Sequence, residues 1–359
     1  MPAGRVRGRI SFRTADVQKG RVWWKADTKI GLQSGLDLAL RNAAWMPRAL
    51  RVEAGLGSGR RGEGNWRPRN RLLEPDRPLD RLAMPLIVTS ASGANGNGYG
   101  ALLAFGRDGR PLGRFSDDNR IVDPRGLAPG SQPGLLFLNS SERVLALDEA
   151  GRVVRDSGVI AGLNPGGGVF GPDGRYYIGL RDARTVLAMP PALTTPGEPV
   201  LPNGIVPFPR GFGFGAKGKL FLASGIGPDG RGDDLIFAFP SDRARPVRLV
   251  EDPQLSPLDL IVAPNGNVVV SSERPFGAPD AVTTIREYDG ESGRLVRVFS
   301  ASGVAAFRRP RGLRFGADGH LYCTAQDEVV AFDFADGRCL GVVVRFARLF
   351  GQALAFFPP

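Results

Sequence analysis

Three features of the sequence predict an all-β fold, a six-bladed β-propeller of four-stranded antiparallel blades. A Pro-x-Gly segment recurs along the chain, tight Asp-Gly-type turns follow it at fixed places, and the chain ends in a lone apolar strand. A forty-odd-residue repeat cut by such turns has room for four short strands and none for long helices. With 50 glycines and 30 prolines the turns are plentiful, yet the composition stays short of that of a chain disordered throughout.

Charge divides the chain before any strand does. Residues 1–83 hold fifteen Arg and three Lys against eight acidic residues, and so carry ten of the eleven net positive charges. Within them, Gly59-Arg60-Arg61-Gly62 and Arg67-Pro68-Arg69-Asn70-Arg71 lie in a stretch with almost no apolar periodicity. The expected organisation is therefore a basic, largely disordered arm over 1–83 and a propeller over 84–359. Such an arm suits a tether to nucleic acid or a membrane surface, and equally a solvated extension ahead of an internal start at Met46 or Met84; both readings stay open. No run approaches eighteen uncharged apolar residues and no apolar stretch follows the basic start, so neither a membrane span nor a signal peptide is expected, and cytoplasmic localisation is.

From Met84 the elements follow in order. Leu86-Ile87-Val88-Thr89 is the first well-patterned strand and lacks a Pro-x-Gly strand before it, so it reads as the second strand of its blade. Pro124-Arg125-Gly126, Pro165-Gly166-Gly167, Pro209-Arg210-Gly211, Pro257-Leu258-Asp259 and Pro310-Arg311-Gly312 open five further units. Gln352-Ala353-Leu354-Ala355-Phe356 closes the series, and the anchors at 126, 167, 211, 259, 312 and 353 lie 41, 44, 48, 53 and 41 residues apart. Pro172-Asp173-Gly174, Ala216-Lys217-Gly218, Pro264-Asn265-Gly266 and Ala317-Asp318-Gly319 read as hairpins between strands one and two. Arg107-Asp108-Gly109, Glu149-Ala150-Gly151 and Ala335-Asp336-Gly337 join strands three and four. The final strand completes the first blade, closing the ring and removing two open sheet edges.

The segments Pro310-Arg311-Gly312-Leu313-Arg314-Phe315-Gly316-Ala317-Asp318-Gly319-His320-Leu321-Tyr322 and Pro124–Leu127 through Arg143–Val154 resemble NHL repeats. Propellers of this kind include ligand-binding and RNA-binding proteins, streptogramin lyases, peptidyl-hydroxyglycine lyases and the gluconolactonase/regucalcin group. The resemblance to that last group implies a divalent cation such as calcium, held in the channel by Glu, Asn and Asp. Here the corresponding positions are Arg125, Gly166, Arg210, Leu258, Arg311 and Gln352, none a carboxylate, with Asp259 and Asn164 one position away. Asp229, Asp233 and Asp234 offer a further acidic loop whose spacing matches no known calcium loop. The lyases rely on histidine, and the chain has only His320, placed beside a hairpin on the face opposite the functional loops. Cys323 and Cys339 fall in strands two and four of one blade, about 9.6 Å apart by strand spacing, too far for a disulfide.

In a propeller the strand-two-to-three loops share one face with the starts of the inner strands. Here those loops are long at 90–100, 224–234 and 271–283. Arg125, Arg210 and Arg311 are expected to ring the channel mouth from alternate blades, with Asp259 near them, as a ligand-binding set for a carboxylate or phosphate. Pairing of the same arginines with Asp123, Asp252 or other loop carboxylates is the structural alternative. The expected function is a non-catalytic binding scaffold, with no cofactor, recognising a small anionic ligand, peptide or protein. A metal-dependent hydrolase or lyase of the gluconolactonase/regucalcin type is the alternative. The near-neutral body argues against nucleic acid as the propeller's partner.

Overall fold

A computed structural model describes residues 82–92, 98–160, 163, 165–226, 232–243, 245–278, 280–301 and 306–358. The expected arm falls outside the described residues except at Leu82 and Ala83, as do Asn164 and Asp229.

Among the described residues, twenty-four strands form six four-stranded antiparallel sheets, as the repeats predict. Blade 1 comprises β1 (Leu86–Ser90), β2 (Ala101–Phe105), β3 (Pro111–Arg114) and, innermost, β24 (Gly351–Phe356). Blade 2 comprises β4 (Leu127–Pro129), β5 (Leu136–Ser140), β6 (Arg143–Leu147) and β7 (Val153–Asp156). Blade 3 is β8 (Pro165–Phe170), β9 (Tyr176–Leu180), β10 (Thr185–Met189) and β11 (Glu198–Pro199). Blade 4 is β12 (Pro209–Phe214), β13 (Leu220–Ile226), β14 (Gly232–Phe239) and β15 (Val247–Val250). Blade 5 runs through β16 (Pro257–Val262), β17 (Val268–Arg274), β18 (Val282–Tyr288) and β19 (Leu295–Phe299). Blade 6 runs through β20 (Leu313–Phe315), β21 (Leu321–Thr324), β22 (Glu328–Phe332) and β23 (Cys339–Arg345).

The core is distributed between blades. Six apolar clusters fill the spaces between neighbouring blades, one for each pair, including the pair formed by blades 6 and 1. Middle strands are therefore covered on both faces, and β1, β5, β9, β10 and β22 are buried along their whole lengths. This is why they read as continuous apolar runs and not as alternating ones. Leu82, 2% exposed, packs in the cluster between blades 6 and 1, two positions before Met84.

β24 closes the ring as expected: it pairs with β1 in the register Leu86↔Phe356 and Val88↔Leu354. Ala353 N donates to Thr89 Oγ1 at 2.8 Å, and Phe357 N donates to Pro85 O at 3.0 Å. The hairpin glycines behave as the turn chemistry requires; Gly266 and Gly319, for example, sit at φ 84 and 79, where a side chain would be strained. Cys323 and Cys339 are buried and form no disulfide. Among the described residues no helix is long and apolar enough to cross a membrane.

One expectation about the loops is corrected. The strand ladders run into both ends of two of the long loops: β13 and β14 pair as far as Ile226↔Gly232, and β17 and β18 as far as Arg274↔Val282. Ser271, Ser272, Glu273 and Arg274 read as a polar loop in sequence. They join the ladder because neighbouring segments partner their side chains, Ser271 Oγ donating to Arg311 O at 2.6 Å and Glu273 pairing with Arg311.

Candidate functional site

Where the inner strands meet, they come very close, and glycine permits it. A Cβ on Gly211 would fall 2.2 Å from Asp259 Oδ1 and 2.3 Å from Leu260 N of the next blade; one on Gly312 would fall 2.6 Å from Ala353 Cα. This is the physical meaning of the repeated Pro-x-Gly. Blade 5 carries Asp259 where the others carry glycine or alanine, and its carboxylate serves the ring. Oδ2 accepts from Leu313 N of blade 6 at 2.8 Å and Oδ1 from Leu260 N at 2.9 Å. Burial pushes the Asp259 carboxyl above its ordinary range, with these N–H groups and Arg314 opposing the rise. Asp259 thus lines the channel, and both its oxygens are engaged by backbone.

Around the axis lies a cavity of about 280 Å³ bordered by Arg125, Arg181, Arg210, Arg311, Arg314 and Gln352, with the glycines and Asp259 between them. Arg125, Arg210 and Arg311 do come together from blades 2, 4 and 6, but they are not equivalent. Arg125 is paired with Asp123 at 2.7 Å and donates to Gln352 Oε1 at 3.2 Å. Arg311 is paired at 2.7 Å with Glu273, which is buried on β17. The sequence alternative of carboxylate pairing therefore holds for these two, although Asp252 pairs elsewhere, with Arg286.

Arg210 differs. It is 6% exposed and forms no ion pair among the described residues, with Asp234 and Glu273 attracting it only from further off. Nη2 donates to Ile226 O at 2.7 Å, while the buried Nε finds no acceptor. The side chain fits because Gly225 has none: a Cβ there would lie 2.2 Å from Arg210 Nε. Burial, then the charges of Arg181 and Arg311, hold its guanidinium well below the usual arginine range.

Arg181, directly after β9, was not among the sequence candidates. Its Nε is also buried without an acceptor, and no hydrogen bond or ion pair engages it among the described residues. Burial, with Arg125 and Arg311 nearby, brings it down to about 10 against the opposing pull of Asp123 and Asp182. The signal available in the sequence was position alone: Arg181 occupies a short strand-two-to-three loop on the same face as the channel mouth.

Aromatic rings interleave these cations. Arg181 lies 5.6 Å from the centroid of Phe208, Arg210 lies 5.0 Å from Phe208 and 4.4 Å from Phe276, and Arg311 lies 5.6 Å from Phe276. The result is an alternating Arg–Phe stack from blade 3 to blade 6, crowned by Phe276 of the β17–β18 hairpin. Cation–π attraction of about 0.5–2 kcal/mol per contact helps keep like charges together in a desolvated place.

The donor set does not fit a resident metal. The mouth presents guanidinium groups, Asp259 is committed to backbone, and no three His, Cys, Asp or Glu side chains converge among the described residues. In the acidic loop, Asp234 pairs with Arg274 and accepts from Ser256 Oγ. His320 sits in the β20–β21 hairpin, its N–H donating to Asp318 Oδ1.

Comparison with solved structures agrees on the propeller fold. The chain is similar to a chain of a nidogen/laminin complex (12% identity, TM-score 0.57, covering 76% of this chain and 97% of that one). It is likewise similar to a protein of unknown function from Bacteroides caccae (14%, 0.56, 76% and 97%). A streptogramin B lyase aligns more loosely (14%, 0.46, 59% and 66%). The sequence matches no protein-family model and no curated protein. At these identities the likeness of the first two shows the fold alone, in keeping with the six blades of this chain, and assigns no activity.

Proposed function

We propose that this protein is a binding scaffold whose channel mouth takes a small anionic ligand. The observation that supports the reading is the pair Arg181 and Arg210 at one opening, each with a buried Nε that finds no acceptor and neither in an ion pair among the described residues, Asp123 and Asp182 attracting the one and Asp234 and Glu273 the other only from further off. Unpaired buried charge is costly, and an anion supplying oxygen acceptors relieves the cost and gains charge-assisted hydrogen bonds. The rigid blades fix the cations in advance, so little ordering is required on binding.

The test is thermal unfolding of the full chain with sulfate, phosphate, succinate, citrate and acetate, each against sodium chloride of equal ionic strength. A ligand at one hundred times its Kd stabilises the folded state by about 2.7 kcal/mol, and the melting temperature should rise accordingly. No rise beyond the chloride control with any of the anions contradicts the proposal.

A further inference from the structure

We infer that the ligand is a compact dianion, a doubly charged oxyanion or a short dicarboxylate, held by Arg181 and Arg210 while Arg125 and Arg311 frame the opening. The inference rests on the anion-binding reading and narrows it.

Charge at the mouth is already largely balanced. Arg125 is matched by Asp123 and Arg311 by Glu273. Deeper in the channel, Arg314 donates to Leu127 O at 2.7 Å and Leu354 O at 3.3 Å, and faces Asp259. Arg181 and Arg210 are the two that lack an ion pair among the described residues, and the carboxylates that attract them, Asp123 and Asp182 for Arg181 and Asp234 and Glu273 for Arg210, act from further off. A single negative charge leaves one of these guanidinium groups without a close counter-charge, and three exceed what these two can meet unless Asp123 or Glu273 gives up its partner.

Geometry favours the same pair. Both guanidinium groups pack near Phe208, and Arg210 also lies 4.4 Å from the centroid of Phe276. The rings offer these groups no oxygen acceptor, and a guanidinium edge fits two oxygens of one anion. Arg210 has already spent Nη2 on Ile226 O, and Nη1 makes no hydrogen bond among the described residues. Arg181 has no hydrogen-bond partner at all among them.

The experiment is titration calorimetry of the full chain at one pH near neutrality and constant ionic strength, with sulfate and succinate as dianions and acetate and nitrate as monoanions. The dianions are expected to bind at least tenfold more tightly than the monoanions. Arg181→Gln and, separately, Arg210→Gln should each weaken sulfate at least tenfold and bring it level with acetate. Arg125→Gln should cost less than threefold. Arg243→Gln, at a residue stacked on Phe214 away from the mouth, should leave binding unchanged. Because Arg210 is buried and its variant is at risk of misfolding, Arg181→Gln is the deciding substitution, with circular dichroism confirming the fold. Equal affinity for acetate and sulfate, or Arg125→Gln costing as much as Arg181→Gln, overturns the dianion inference and leaves the anion reading standing. Failure of every anion to bind overturns both.

Discussion

Removing residues 351–359 should destroy the fold, because β24 supplies the inner edge of blade 1 and part of two inter-blade cores. Leu354 is fully buried, Phe356 and Phe357 are 7% and 2% exposed, and the Phe356 ring meets Tyr322 edge-on at 4.9 Å. Burying each such side chain stabilises by about 1.5–3 kcal/mol, so these three alone contribute about 5–9 kcal/mol. A domain's whole stability is about 5–15 kcal/mol. The cut also leaves β1, buried along its length, with an unpaired edge facing the channel and open to other chains. The assay is size-exclusion chromatography and thermal unfolding of the truncated chain beside the intact one, with Leu354→Ala as the milder probe, expected to cost about 2–5 kcal/mol. A monomeric truncated protein with the parent's melting temperature would refute closure by β24.

Three further outcomes follow from the same geometry. Gly211→Ala should destabilise by about 1–3 kcal/mol or more in denaturant unfolding, since its Cβ collides with Asp259 and the Leu260 backbone. Asp259→Ala should cost about 1–3 kcal/mol by leaving Leu313 N–H without its acceptor, while Asp259→Asn, which keeps one carbonyl oxygen, should cost less. Stability should hold steady on mild acidification and fall as pH drops below about 4, read as melting temperature against pH. Arg120 hydrogen-bonds Asp118 and holds it at about 2. Asp156 also lies below its ordinary range, because Gly158 N–H, Arg143 and Arg120 outweigh the burial that raises it. Carboxylates held low lend stability above their unfolded pKa and lose it as pH falls through the folded one. Asp259, held high, works in the opposite sense and softens the onset.

The sequence carried the fold because its signals are local. Hairpin glycines such as Gly266 and Gly319 and the close-packing glycines Gly211 and Gly312 each answer to contacts that a short motif specifies. Arg125, Arg210 and Arg311 could be placed at one mouth for the same reason, as each opens an inner-strand segment. Which of them is neutralised was not legible. Glu273 lies in a stretch that looks like loop and becomes the end of β17, and Phe276 reaches the stack only because that hairpin extends. Arg181 carries no motif; its role emerges from Phe208 and Arg210 of the next blade, residues brought near by the ring and not by the chain.

The most direct measurement is anomalous diffraction from crystals of the full chain soaked in selenate, a dianion that scatters. The expected result is a selenium peak at the channel mouth within hydrogen-bonding distance of both Arg181 and Arg210, absent from crystals of Arg181→Gln. A mouth without a peak, while selenate occupies exposed surface arginines, would contradict anion binding at this site.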